Sequence, residues 1–340
     1  MELTGFNPNA TANTGNNIFG LPYAVETSKV VIIPIPWEVT VSNFEGAAQG
    51  PGNVLEQSFQ IDLFDPFNPN GWKQGYAMEA IDHDLIERNK ATRALSREFI
   101  SLLEAGHNMD ENPQMLQWVR TINVAGDELC TWLKEKCKNY LGNNQIPIVL
   151  GGDHSVPLGL IKALAEIKPG FGILQIDAHA DLRKDYQGFL HSHASVMRNA
   201  IQTPGVNKLV QLGIRELCDE EQEFINSNSE KINTYYDHTI RQRQFEGESW
   251  QTITEDIVSK LPQSVYVSFD VDGLQPYLCP GTGTPLPGGL AYQEALYLLQ
   301  SVIKSGRRII GADVVETGSG KIDGITTSRL LFRMAGLVCS

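Results

Sequence analysis

Short apolar runs alternate with longer amphipathic stretches along most of the chain. Lys29–Ile35 (KVVIIPI) reads as a first strand, followed by a loop rich in Gly and Asn and a short helix near Gly52–Phe59. Ala91–Glu104 and Pro113–Leu141 carry apolar residues at helical spacing. Asn143, Asn144 and Pro147 then introduce the run Ile148–Leu150. Further strands are expected at Phe171–Ile176, Lys208–Leu212, Ile232–Tyr236, Val265–Phe269 and Arg308–Val315. Helices are expected between them at Leu158–Ile167, Ala194–Ile201, Asp219–Asn226, Trp250–Leu261, Tyr292–Ser305 and Ser328–Leu337. The strands are continuously apolar rather than alternating, which implies burial on both faces, as in a parallel sheet covered by helices. Regular strand–helix alternation predicts an α/β chain with three layers, α/β/α, around a mainly parallel, doubly wound sheet. No composition break marks a linker and no repeat is visible, so residues 1–340 read as one domain. Residues 1–25 and Phe64–Gln74 are expected to be irregular surface segments.

Composition narrows the class. An apolar fraction of 41% and a charged fraction of 20% exclude a disordered or collagen-like chain and fit a globular protein with a large core. No apolar run approaches the ~18 residues of a membrane-spanning helix. The first twenty residues lack a basic stretch followed by an apolar one, so no secretory leader is expected. With 27 basic against 40 acidic residues the net charge is −13, which argues against nucleic acid as a partner. The five cysteines are scattered and form no CxxC pair, so neither a disulfide framework nor a structural zinc site is expected, and a reducing cytoplasm is the default. Histidine says more. Of seven, His154, His179, His191 and His193 fall within forty residues.

Three apolar strands end in ligand-type residues, where open α/β sheets place their sites. IPIVLGGDHS delivers Asp153 and His154, FGILQIDAHADLR delivers Asp177, His179 and Asp181, and VYVSFDVDGLQP delivers Asp270 and Asp272. Extended chain has a period of two, so Asp177, His179 and Asp181 are expected to aim at one point, as are Asp270 and Asp272, with Ala178, Ala180 and Val271 facing away. Four carboxylates and two imidazoles converging there would repel one another unless cations neutralise them. Two divalent ions match their −4 charge. The mixed oxygen and nitrogen set suits Mn²⁺ best, with Fe²⁺, Co²⁺, Ni²⁺ or Zn²⁺ as alternatives. A lone Asp after a strand is usually a helix cap, but DxHxD, DxD and GGDHS together are hard to obtain structurally. A calcium loop is disfavoured, because these carboxylates follow strands rather than lying in a helix-flanked loop.

GGDHS, DAHAD and SFDVDG, in that order and separated by about 20 and about 90 residues, resemble the signatures of the ureohydrolase (arginase/agmatinase/formiminoglutamase) family. PGTGTPLPGGL and DVVE near the C-terminus match it too, and Pro36–Pro51 (PWEVTVSNFEGAAQGP) resembles the agmatinase-type N-terminal loop. The resemblance covers Ile32 to the C-terminus. It implies an arginase-like α/β/α fold, a binuclear Mn²⁺ centre, and hydrolysis of a small cationic guanidino or formimino substrate by a hydroxide bridging the ions. Carried over, one metal takes His154, Asp177, Asp181 and Asp270, and the other Asp177, His179, Asp270 and Asp272. Asp181 also accepts a hydrogen bond from the hydroxide. His193, in SHASVMR, resembles the family's proton-shuttling histidine, with His191 as the alternative. Thr284 and Glu316 match positions that line the substrate pocket. The family also implies a homo-oligomer, trimer or hexamer.

Two departures bear on the substrate rather than the metals. Gln275 stands where the family usually has Asp, and TGSGKIDG follows Glu316 in place of the usual Asn-Pro or Ala-Pro. The Asn and Ser set that grips an amino acid's α-groups in arginases is not evident after DAHADLR. The expected activity is therefore cleavage of agmatine or a related guanidino-alkyl amine or acid to urea and an amine. The alternatives are a formiminoglutamase releasing formamide and a non-catalytic metal-binding protein on the same scaffold. A two-metal phosphoesterase is disfavoured, since only Arg183 and Lys184 lie near the motifs.

Overall fold

The structure, a computed structural model, describes residues 5–340. Its strands are β1 (Val30–Ile35), β2 (Tyr76–Met78), β3 (Ile146–Gly151), β4 (Phe171–Ile176), β5 (Val206–Ile214), β6 (Ile232–Tyr236), β7 (Ser264–Asp270) and β8 (Arg308–Val315). They form one sheet in the order β2-β1-β3-β8-β7-β4-β5-β6, and every pairing is parallel. The helices are α1 (Gly50–Ser58), α2 (His83–Glu104), α3 (Pro113–Gly142), α4 (Leu158–Ile167), α5 (Val196–Gln202), α6 (Asp219–Ser227), α7 (Asp237–Phe245), α8 (Trp250–Ser259), α9 (Tyr292–Lys304) and α10 (Lys321–Leu337). Successive strand residues feed opposite faces: Ile148 and Leu150 join the core under α1 and α7–α10, while Val149 joins the core under α2–α6. The result is the expected α/β/α layering, with the sheet wholly rather than mainly parallel.

Register places the chemistry. Leu150, Val314, Phe269 and Ile176 are paired in one row across β3, β8, β7 and β4, four neighbouring strands. The motifs that follow them therefore leave the sheet at one level and on adjacent strands.

Elements with weak apolar patterns are longer than expected or were not expected at all. α2 starts eight residues earlier than Ala91, because Asp82 caps it by accepting from the Asp84 and Leu85 N–H groups. α10 starts at Lys321 rather than Ser328, since its buried first turns use Asp323, Thr326 and Thr327. The three-residue β2 and the polar α7, in which only Asp237 and Ile240 are buried, give too little periodicity to read. The expectation of two irregular surface segments holds for most of Phe64–Gln74, which is irregular and largely exposed, but parts of both segments are buried. Ile18, Phe19 and Leu21 are buried, with the Phe19 ring edge-on to Phe332, and Leu63 and Trp72 join the same core. Asn17 pins the N-terminal segment by exchanging hydrogen bonds with the Met78 backbone; residues 1–4 lie outside the described residues. All five cysteines are free, and no helix of the described residues is long and apolar enough to cross a membrane.

Candidate metal centre

His154, Asp177, Asp181, Asp270 and Asp272 converge beyond the β3, β4 and β7 ends, almost completely buried, with His179 half-buried beside them. Strand alternation does not bring them together, which corrects the period-two expectation. β4 ends at Ile176, and Asp181 enters the site from a left-handed backbone, φ 54°. Asp272 sits in a 3₁₀ turn, Val271–Gly273, that Asp270 caps by accepting the Asp272 N–H at 2.8 Å. Two glycines are dictated by close approach. A Cβ on Gly152 would lie 1.9 Å from the Trp37 carbonyl oxygen, and one on Gly273 would lie 2.6 Å from the Asp177 nitrogen. GGDH and DVDG thus let the ligand-bearing loops pack backbone against backbone.

His154 Nδ1 lies 3.0 Å from Asp177, 2.9 Å from Asp181 and 3.3 Å from Asp270. The opposite ring nitrogen, Nε2, is 2.9 Å from Ser268 Oγ, whose hydroxyl donates to Asp313 at 3.0 Å; Tyr266 donates to the other Asp313 oxygen at 2.6 Å. Ser268 has one proton and gives it to the carboxylate, so it accepts from His154 Nε2–H. In the neutral ring, Nδ1 then carries a lone pair aimed at three carboxylate oxygens and has no hydrogen-bond partner. That buried orphan, facing anions, fits a cation and little else. A second group lies alongside: His179 Nδ1 is 3.0 Å from Asp272 and 3.6 Å from Asp177. Asp177 belongs to both groups that could hold an ion, with His154 and Asp270 in one and His179 and Asp272 in the other.

Titration follows the same crowding. Burial works to lower His154, but the close carboxylates of Asp177, Asp181 and Asp270 outweigh it and raise the imidazole well above its usual range. Burial works to raise Asp177, but His154 and His179 outweigh it and hold Asp177 below the carboxylate range. Burial, then the charge of Asp177, pushes Asp181 up to about 7. Burial raises Asp153 and Asp313 to about 6.

Asp181, Asp153 and Asp313 bind protons more tightly in the folded chain than in the unfolded one. Without metal, the stability they contribute is full below the ordinary carboxylate range and is lost as pH rises through about 6 to 7. Metal affinity runs the other way, because the ligands must lose their protons. The Tm of chelator-treated protein is therefore expected to fall between about pH 5 and about pH 8, while the Tm gain on adding Mn²⁺ grows over the same window. A chelated Tm that rises across that window would overturn this charge assignment.

Several supporting residues escape a motif-based reading. Gln175 donates to Asp177 at 2.7 Å, Gln211 donates to Gln175 at 2.6 Å, and Thr234 donates to Gln211 at 2.8 Å, a buried amide chain across β4, β5 and β6. Arg215 donates to the Asp272 carbonyl at 2.6 Å and clamps the turn. The available signal is a polar residue in the middle of an otherwise apolar strand, Gln175 in FGILQI, Gln211 in LVQLGI and Ser268 in VSF.

Glu316, directly after β8, is buried in a left-handed backbone, φ 63°, and its Oε1 accepts the His154 N–H at 2.8 Å. Burial, then Asp153, raises it well above the carboxylate range. Left-handed non-glycine residues cost about 1–3 kcal/mol and persist where surroundings enforce them; both Asp181 and Glu316 are held this way. Thr284 donates to Asp272 at 3.2 Å, so it touches a candidate ligand while lining the cleft. His193 lines the same cleft of about 360 Å³ with His179, Asp181, Arg183, Tyr186 and Glu216. His191 instead packs on Gly126, 3.7 Å from Asp127. Gln275 accepts from the exposed Tyr277 hydroxyl, outside this cleft.

A model of the arginase family matches residues 28–336, and the chain belongs to that family. It is accordingly an arginase-family hydrolase. Its sequence is 28% identical over 311 residues to an N(1)-aminopropylagmatine ureohydrolase of Synechocystis sp., covering 90% of this chain and 88% of that one. It is 29% identical over 292 residues to an agmatinase of Halalkalibacterium halodurans, covering 86% and 84%. The fold resembles the crystal structure of the agmatine ureohydrolase of Thermoplasma volcanium, with a TM-score of 0.70 at 20% identity over 93% of this chain and 92% of that one.

Proposed function

We propose that this chain is a binuclear-metal amidinohydrolase that cleaves agmatine, or a related guanidino-alkyl amine or acid, to urea and an amine. The observation that carries the reading is His154 Nδ1, buried without a hydrogen-bond partner among three carboxylates. In this reading His154, Asp177, Asp181 and Asp270 hold one ion and Asp177, His179, Asp270 and Asp272 the other, with Mn²⁺ the best match and Ni²⁺, Co²⁺, Fe²⁺ or Zn²⁺ tolerated. Two such ions, when bound, supply a water acidic enough to attack at neutral pH and Lewis-acid stabilisation of the developing charge. Asp181 accepts a hydrogen bond from the attacking water and fixes its direction. Glu316 meets the planar cation with a carboxylate, a directional, charge-assisted contact. His193 moves a proton to the departing amine as the C–N bond breaks. The whole chain is read as one domain because all eight strands share one sheet, and its unpaired cysteines suit a cytoplasmic setting. Assembly as a trimer or hexamer is part of the same proposal, and the family resemblance supports it.

A formimino group is also a planar cation, so release of formamide is the second reading. Urea and formamide are to be measured across guanidino amines, guanidino acids and formimino compounds, with Mn²⁺- and Ni²⁺-loaded protein. Urea from a guanidino amine or acid supports the proposal; formamide alone transfers it to the second reading, and no turnover of any compound overturns it. In the same assay Glu316→Gln should keep its metals, because the amide oxygen can still accept from His154 N–H. Its kcat/KM should fall ~10²-fold or more, about 2.7 kcal/mol. Unchanged kinetics in the metal-replete variant would remove Glu316 from substrate binding.

A further inference from the structure

The loop after β1, the neighbour of β3, reaches the same cleft through Ser42, and its Thr40 touches two groups at once. The side chain is buried, with Oγ1 3.3 Å from Asp153 Oδ2 and 3.2 Å from His193 Nδ1, and it also accepts the His193 backbone N–H at 3.2 Å. Asp153 itself is fully buried. Its Oδ1 accepts from the Ser155 N–H and hydroxyl, and its Oδ2 accepts from the Thr40 N–H at 3.4 Å. The loop is held in place from outside the site. Arg93 and Ser96 of α2 both donate to the Val39 carbonyl, and Arg93 and Arg97 pair with Glu45.

A hydroxyl has one proton to give and two lone pairs to receive with. Donating to the Asp153 carboxylate is charge-assisted and stronger than donating to a neutral imidazole nitrogen. Thr40 then has two acceptor sites left, and two His193 groups face them: the backbone N–H and the ring Nδ1. Every hydrogen-bonding capacity of the hydroxyl is used only if Nδ1 carries the ring proton. Both side-chain contacts of the ring run through Nδ1, and the Tyr186 ring lies edge-on to it, 5.9 Å between centroids. We infer that Asp153 and Thr40 act as positioning residues that lock His193 in its Nδ1–H tautomer, presenting an unprotonated Nε2 to the cleft. A histidine that ferries protons through Nε2 needs that nitrogen free to take one up. The functional half of the inference rests on the proton-shuttle reading of His193, whereas the tautomer does not.

The test is long-range ¹H–¹⁵N spectroscopy of Zn²⁺-loaded protein labelled at histidine, with the His193 ring assigned by its loss in His193→Asn. The expected wild-type pattern is a protonated Nδ1 and a bare Nε2. Thr40→Ser should keep that pattern and turnover close to wild type. Thr40→Val removes the hydroxyl at nearly constant volume; it should shift the ring toward the Nε2–H form and lower kcat ~10-fold or more, with metal content and KM unchanged. A wild-type ring already in the Nε2–H form overturns the inference with no variant needed, and so does a Thr40→Val ring that keeps the wild-type pattern. If the tautomer shifts but kcat does not, the positioning role is overturned. If His193→Asn itself remains fully active, it is the shuttle reading that fails, and the two failures are told apart.

Discussion

Asp270→Asn is expected to bind fewer than two ions per chain and to lose activity by well over the ~10–100-fold that loss of an outer hydrogen-bond partner costs at a metal site. The substitution isolates charge. Asp270 Oδ1 accepts the Asp272 N–H at 2.8 Å and so caps the 3₁₀ turn; an asparagine carbonyl can keep that bond, and with it the turn. The other oxygen, 3.3 Å from His154 Nδ1, becomes an NH₂ group that donates where an acceptor is needed. Burial and the charges of Asp272 and Asp177 raise Asp270 well above the carboxylate range, so a cation is what keeps this group ionised. Metal content and turnover are therefore expected to fall together. Two tightly bound ions with normal turnover in the folded variant would remove Asp270 from the ligand set.

What the sequence disclosed follows from which forces act locally. The continuously apolar strands disclosed the parallel sheet, because burial on both faces leaves no polar positions to alternate. Phe171–Ile176 and Arg308–Val315 fall at the observed bounds for that reason. The motif residues were legible because carboxylates and imidazoles after apolar strands have few structural uses. How they meet was not legible. The left-handed turn at Asp181 and the capped turn at Asp272 depend on neighbouring loops, including the backbone that Gly273 admits. The supporting shell was hidden for a related reason. Gln175, Ser268 and Asp313 matter through partners on other strands, and sequence order does not show that β3, β8, β7 and β4 are neighbours. Thr40 lies 113 positions from Asp153 and 153 from His193. The different surroundings of His191 and His193 likewise needed the fold, since two positions along the chain take the ring from packing on α3 to lining the cleft.

His193→Ala should bear on turnover rather than on metal binding. Enclosure by the protein, then the positive charges of His179 and His154, depresses His193 to about 3, so the ring is neutral at working pH. Loss of a general acid–base group costs ~10²–10⁴-fold in rate. The variant keeps the backbone N–H that reaches Thr40 and all six candidate ligands, so its metal content is expected to match wild type. The companion His191→Ala is expected to turn over normally, because that ring packs against Gly126 and reaches only Asp127. Burst-free steady-state kinetics on both variants, with metal counted in each, separate the two histidines. Full activity in His193→Ala together with loss in His191→Ala would reverse the assignment. A metal-depleted His193→Ala would instead make His193 part of the ligand-holding architecture, because an alanine that leaves all six candidate donors in place can empty the site only by disturbing how they are held.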